Sequence, residues 1–193
     1  MVYNEKRGSG IMHDHDFDYG RIAELRSRFV PDQAVIDAVQ PSSGDVIVDI
    51  GAGEGHYSEL FARTASHVYS VDRSHKAVEL VKSRIERNSI PNLTASHEEV
   101  CSGFTPEGFN KVFFGTSFHD IPCQDKLIRT LVQKGTEDLI LILLEFKKED
   151  TIGPPLEIRI SQNELEDYMK RKGFRKIYSK ELEIHYIHSY SKG

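Results

Sequence analysis

The sequence predicts an α/β fold, a mostly parallel sheet covered by helices on both faces, and three observations carry that reading. From Asp45 onward, short apolar runs alternate with helical stretches in the order βαβα. Residues 139–144, Leu-Ile-Leu-Ile-Leu-Leu, are apolar without a break, as a central strand of a parallel sheet is when both of its faces are buried. A glycine-rich turn, Gly51-Ala52-Gly53-Glu54-Gly55, separates the first strand from the helix after it.

Each element has its own signal. Between residues 19 and 39, Ile22, Leu25 and Phe29, then Val35, Ile36 and Val39, recur at helical spacing, and Pro31 divides them into two short helices. A strand over 46–50, a helix over 57–64, a strand over 68–71 and a helix over 74–88 follow. A short strand at 93–95, a strand at 111–115, a helix at 124–134 and the apolar strand 139–144 continue the alternation. The last third changes character. Gly153-Pro154-Pro155 reads as a loop, and a helix opens at Ser161, whose side chain forms a capping box with Glu164 three residues on. Two strand-like runs, 174–178 and 182–190, stand close enough for a hairpin. Residues 1–15 are polar and contain glycine, so they read as a flexible leader, with order expected from Asp16 and one domain over 16–193.

Composition narrows the function classes. A chain of 193 residues can build one domain with a proper core and is too short for two comfortable ones. Its 38% hydrophobic and 28% charged residues are the balance of a soluble globular protein. No apolar run approaches the roughly 20 residues that cross a bilayer, and the N-terminus lacks the apolar core of a signal peptide, so a cytoplasmic location is expected. A net charge of -5, with no block of Lys or Arg, argues against strong nonspecific nucleic-acid binding. Cys101 and Cys123 make no Cys-x-x-Cys pair for zinc and read as packed thiols in a reducing compartment. His13-Asp14-His15-Asp16 contains metal-ligand types but lies in the leader without a third fixed element. His185 and His188 are three apart on a strand and should face opposite sides, so no metal site is expected.

The chemistry starts at the glycine turn. Without a Cβ, its backbone can turn tightly and approach a ligand closely. The next strand ends at Val71-Asp72, where a carboxylate about 20 residues past the first glycine can accept hydrogen bonds from both hydroxyls of an adenosine ribose. In the dinucleotide fingerprint a small residue stands six positions along for close helix packing, but here that position is His56. The spacing is Gly-x-Gly-x-Gly, with Asp49 two residues ahead.

This segment resembles the first motif of class I S-adenosylmethionine-dependent methyltransferases. Within that class the chain is similar to the methyltransferase type 11 group, relatives of the ubiquinone/menaquinone-biosynthesis and arsenite methyltransferases. Supporting segments are Phe114-Gly115-Thr116-Ser117-Phe118-His119-Asp120, and Glu145-Phe146-Lys147-Lys148 followed by Gly153-Pro154-Pro155-Leu156-Glu157-Ile158-Arg159. The resemblance runs from Gly44 to the C-terminus. It implies a Rossmann-like, mostly parallel seven-stranded sheet with an antiparallel last strand, S-adenosyl-L-methionine as cofactor and S-adenosyl-L-homocysteine as product. Residues 16–40 would then form a helical lid over the site.

Carried onto this sequence, the resemblance places Gly51 and Gly53 at the methionine end of the cofactor, with Asp49, Ala52 and Tyr57 around them. It places Asp72 on the ribose and Arg73 beside the adenine. Ser96 and His97 would meet the adenine amine, in a segment whose register can slip. Thr116 and Ser117 would pass under the sulfonium.

On the acceptor side two readings of each residue stand. His119, with an ordinary pKa of about 6.5, is either the general base or a ring packed under the cofactor and bonded to backbone. Asp120 either orients it or is the base itself. Phe118 either shapes the methyl channel or is core. Arg159 either clamps an acidic substrate or makes a surface salt bridge. Tyr19, on the lid, either touches substrate or belongs to a packing layer. Two cysteines are too few to gather around arsenic, and no Asn-Pro-Pro-Tyr type motif follows the fourth strand, which leaves a small-molecule acceptor as the leading expectation. The alternatives are a non-catalytic S-adenosylmethionine-binding sensor or scaffold subunit and an NAD-dependent oxidoreductase. His56 argues against the last.

Overall fold

The structure, a computed structural model, describes residues 19–149 and 152–193. The expected leader, its His13-Asp14-His15-Asp16 cluster and the expected start of order at Asp16 lie outside the described residues, as does the side chain of Tyr19.

Two helices come first, α1 (Tyr19–Phe29) and α2 (Asp32–Val39). They part at Pro31, which lacks an N–H to donate and is extended here. The alternation then runs β1 (Val46–Ile50), α3 (His56–Ala62), β2 (His67–Asp72), α4 (His75–Asn88), β3 (Leu93–His97) and β4 (Lys111–Gly115). A 3-10 turn at Phe118–Asp120 leads to α5 (Gln124–Lys134) and β5 (Ile140–Phe146), and a second at Leu156–Ile158 leads to α6 (Gln162–Arg171), β6 (Phe174–Glu181) and β7 (His185–Lys192). Ser161 caps α6 in the capping box with Glu164, each taking a backbone N–H that the helix start leaves over.

The strands form one sheet in the order β3-β2-β1-β4-β5-β7-β6. β3 through β5 are parallel, and the last strand, β7, runs antiparallel between β5 and β6. The expected seven-stranded sheet is therefore present, and the two final runs do form a hairpin, with an irregularity between Lys176 and Tyr178. Both faces are covered. Val35, Phe61, Val81 and Ile187 belong to one core layer, and Leu127, Leu131, Leu165 and Tyr186 to the other. Strand alternation sorts β7 between them. Ser189 donates to Ala38 O on the α2 side, while His188 meets Gln162 of α6, so His185 and His188 do face opposite sides.

The order of strands reverses between β1 and β4, because β2 lies on one side of β1 and the later strands on the other. Ligands of such sheets bind in the crevice outside the carboxyl ends of the strands at that reversal. At the opposite end, Lys111 Nζ reaches Asp45 Oδ2 at 2.8 Å and Gln40 O at 2.8 Å, closing the starts of β1 and β4.

One expectation is corrected. Cys101 and Cys123 are not separate thiols but a disulfide, 22 residues apart in sequence. The segments after β3 and β4 both leave the carboxyl edge of the sheet, and the return into α5 brings the two Cα atoms to 5.6 Å. Among the described residues no helix is long and apolar enough to cross a membrane, and no group of three His, Cys, Asp or Glu is placed to hold a metal.

Candidate active site

The glycine turn is built as its sequence demands. Gly51, Gly53 and Gly55 all have positive φ, the region that side chains disfavour. At Gly51 the reason is also spatial, because a Cβ there would stand 2.5 Å from Ser117 Cβ. Gly51 N donates to Val71 O at 2.8 Å, tying the turn to the end of β2. Asp72 completes the cradle: Oδ2 accepts from Gly53 N and Oδ1 from Ser74 N, each at 2.8 Å. Beneath the turn, Asp49 is buried and takes a 2.6 Å bond from Ser58 Oγ. Burial pushes its carboxyl up to about 7, against the Ser58 bond and with help from the nearby Asp72 charge.

Around this cradle the remaining expected cofactor residues gather in two groups. Arg73, Ser96 and His97 meet at the ends of β2 and β3, where His97 Nε2 stands 2.9 Å from Arg73 O and Asp72 is paired in register with His97. Tyr57, in the first turn of α3, has its ring against Phe113 and the Arg26 guanidinium 5.9 Å from the ring centre. Its hydroxyl is buried and has no hydrogen-bond partner among the described residues, and burial raises its pKa. A polar ligand reaching that hydroxyl would satisfy it.

The turn after β4 lies against the glycine turn. Thr116 has φ 57, an unusual conformation for a β-branched residue, held by its N–H on Leu144 O at 2.8 Å. Its hydroxyl donates to Gly115 O at 2.7 Å. Ser117 Oγ donates to Ile50 O at 2.6 Å, which seats it on Gly51. Ala52 N bonds Val71 O at 3.2 Å on the other side of the same crevice. Phe118 is fully buried, edge-on to Phe114 and Tyr168, and so stands in the core as well as at the wall of a cavity.

His119 follows, and its partner is a residue that sequence reasoning left out of the site. Glu145, at the end of β5 and 1% exposed, holds His119 Nδ1 at 2.6 Å with one oxygen. The other oxygen accepts Phe118 N at 3.1 Å and His119 N at 3.4 Å. His119 Nε2 is 3.6 Å from Asp120 Oδ2, and Asp120 is the more exposed of the two. Burial works against charge on the ring. The bond to Glu145 and the Glu145 and Asp120 charges outweigh it, Arg159 opposes them, and the His119 pKa lies above its ordinary value.

A cavity of about 430 Å³ opens on this turn, lined by Phe118, His119, Gln124, Arg159, Leu165 and Tyr168 among others. Arg159 is buried, not on the surface, and donates to Pro154 O and Lys147 O at 2.8 Å each. It fixes the segment after β5 that forms one wall of the cavity. The signal for Glu145 was present but weak: an acidic residue ends the most apolar run in the chain, where an unpaired carboxylate is unfavourable.

A glycine turn with a strand-end carboxylate, beside a turn that walls a cavity, places a ligand crevice at the strand reversal of an α/β sheet. Comparison with known proteins makes the class specific. The family profile described as methyltransferase domain matches residues 41–184, and the chain belongs to that family, carrying a class I S-adenosylmethionine-dependent methyltransferase domain. Similar curated proteins include a protein-L-isoaspartate O-methyltransferase of Desulfosudis oleivorans, 27% identical over 59% of this chain and 54% of that protein. Another, from Methanococcus maripaludis, is named as a cobalt-precorrin-6B C(15)-methyltransferase, 30% identical over 52% of this chain and 55% of that protein. The chain thus spans about half the length of the curated relatives it matches. Among solved structures, a SAM dependent methyltransferase from Aquifex aeolicus has a TM-score of 0.81 at 19% identity, covering 92% of this chain and 100% of that one. A protein described as a type 11 methyltransferase from Sulfolobus solfataricus has a TM-score of 0.69 at 23% identity, covering 86% and 94%.

Proposed function

We propose that this protein moves the methyl group of S-adenosylmethionine to a small-molecule acceptor held in the cavity beside His119, as a member of the type 11 group. One observation carries the reading. A single turn, residues 116–120, bears on the donor side through Ser117 against Gly51 and walls the cavity through Phe118 and His119. The cofactor supplies an electrophilic methyl group on a sulfonium. The protein's task is alignment, since nucleophile, carbon and sulfur must lie on one line. In this reading Gly51 and Gly53 admit the methionine portion, Asp72 takes the ribose, and Arg73, Ser96 and His97 frame the adenine. The buried Tyr57 hydroxyl gains a partner from the cofactor. His119, steadied by Asp120, receives the acceptor's proton where the acceptor carries one.

Helices α1 and α2, within the expected 16–40 segment, act as the lid. Two contacts support this: Arg26 pairs with Glu54 of the glycine turn at 3.0 Å, and Asp32 meets His56 at 2.7 Å. Deleting residues 1–30 should weaken S-adenosylhomocysteine binding in calorimetry, and an unchanged affinity would exclude the lid.

The isoaspartate-methyltransferase relatives favour a second reading, a protein carboxylate as acceptor. The two separate in one experiment. Methyl-labelled S-adenosylmethionine is incubated with the protein and a cell extract divided by ultrafiltration. Label in a small molecule other than S-adenosylmethionine, resolved by chromatography, supports the first reading, and label transferred only to the protein fraction contradicts it.

A further inference from the structure

We propose that Glu145 is a positioning residue for methyl transfer: it pins His119 through Nδ1 and leaves Nε2 as the nitrogen presented toward Asp120 and the acceptor cavity. This rests on the reading of His119 as the acceptor-side group. An ionised carboxylate can only accept hydrogen bonds, so the ring nitrogen 2.6 Å from Glu145 Oε2 must carry a proton. On a neutral ring the lone pair is then on Nε2, the atom that would take a proton from an acceptor. The second Glu145 oxygen holds Phe118 N and His119 N, so one carboxylate sets both the ring and the turn that carries it. Ser117, in that same turn, is seated on the glycine turn by its own bond to Ile50 O, which does not involve Glu145.

A carboxylate that only capped the 3-10 turn would have no need of the ring. Here the shortest of its three bonds is the one to the ring. Among the described residues the charged groups facing His119 are Glu145 from β5, Asp120 from its own turn and Arg159 from the segment before α6. Lys148, Glu157, Glu164 and Arg171 stand farther round the cavity, and Lys148 is held by Glu164 at 2.8 Å.

The test uses the whole chain with nitrogen-15 histidine, the His119 signals being assigned by their loss in His119→Gln. In the unmodified protein the neutral ring should carry its proton on Nδ1. In Glu145→Gln the amide still accepts from the backbone N–H groups but can donate to Nδ1. The proton should then move to Nε2, and the His119 titration should fall by about one to three pH units. S-adenosylhomocysteine affinity should be unchanged, while Glu145→Asp, which keeps the charge, should return the titration part of the way. A Glu145→Gln variant that loses thermal stability or cofactor affinity while the His119 tautomer and titration stay put makes Glu145 merely structural and overturns the proposal. Should that variant not fold, an Nε2–H tautomer in the unmodified protein overturns it equally. Failure of the unmodified protein to bind S-adenosylhomocysteine would instead remove the proposed function and leave the Glu145–His119 geometry standing.

Discussion

The two edges of the sheet each carry a buried carboxylate with a basic partner, and the two pairs differ in how their partners are held. At the amino edge Asp45 takes Lys111 Nζ at 2.8 Å, Asn110 Nδ2 at 2.7 Å, and Ser42 N and Oγ at 2.6 and 2.9 Å. Lys111 spends its remaining reach on Gln40 O. That pair joins the end of α2 to β1 and β4. At the carboxyl edge both Glu145 oxygens are used, and among the described residues His119 Nε2 stands 3.6 Å from Asp120 Oδ2, beyond hydrogen-bond length, at the wall of a cavity. The Asp45–Lys111 pair therefore acts as scaffold, whereas in the function proposed above the Glu145–His119 pair keeps one nitrogen for the acceptor cavity.

Breaking the scaffold pair should have the largest effect. Lys111→Ala leaves Asp45 short of its cation and should lower the unfolding free energy by about 3 kcal/mol in urea titration. The affinity of the folded variant for S-adenosylhomocysteine should not change. A loss of affinity at constant stability would mean that the two edges are coupled.

A smaller effect is expected at the carboxyl edge from Gly51→Ala. Its methyl group meets Ser117 in a backbone conformation that a side chain disfavours, which should weaken S-adenosylhomocysteine binding by about 2 kcal/mol, roughly thirtyfold. Calorimetry decides it, and a variant that binds normally would place the methionine end elsewhere.

The smallest effects are on pH dependence, and there two buried histidines should have opposite signs. The folded pKa of His119 is raised, so its contribution to stability is complete below its ordinary 6.5 and is lost as pH rises through the folded value. Burial lowers His188 to about 4, so the native state resists its proton and loses stability as pH falls from 6.5 toward 4. Thermal melts across pH should therefore show Glu145→Gln flattening the alkaline loss and His188→Gln flattening the acid loss. Asp49, raised to about 7, is common to both variants and cancels in the comparison with the unmodified protein. The same slope in both variants would refute the two assignments.

What was legible in the sequence was what is local. The order of strands and helices follows from periodicity, and the glycine turn with Asp72 follows from spacing along one βαβ unit. The capping box of α6 was read from two residues. What was hidden depends on which strands become neighbours. Glu145 lies 26 residues from His119, and only the pairing of β4 with β5 brings their ends together. Cys101 and Cys123 meet because two loops leave the same edge of the sheet, which no spacing rule states. Arg159 reads either as a clamp for an acidic substrate or as a surface salt bridge, yet its guanidinium is buried and donates to Pro154 O and Lys147 O. The positive φ of Thr116 runs against the preference of its side chain, and it is imposed from outside by the bond to Leu144 O.

The central claim is that the glycine turn and Asp72 form the seat of the methyl donor. Calorimetric titration of the unmodified chain and of Asp72→Ala with S-adenosylmethionine, S-adenosylhomocysteine and NAD tests it most directly. The first two should bind the unmodified chain and NAD should not, and Asp72→Ala should weaken both by about 1.5–3 kcal/mol, the worth of hydrogen bonds to a charged group. No binding of either S-adenosyl compound, or an affinity that ignores the loss of Asp72, would contradict the account.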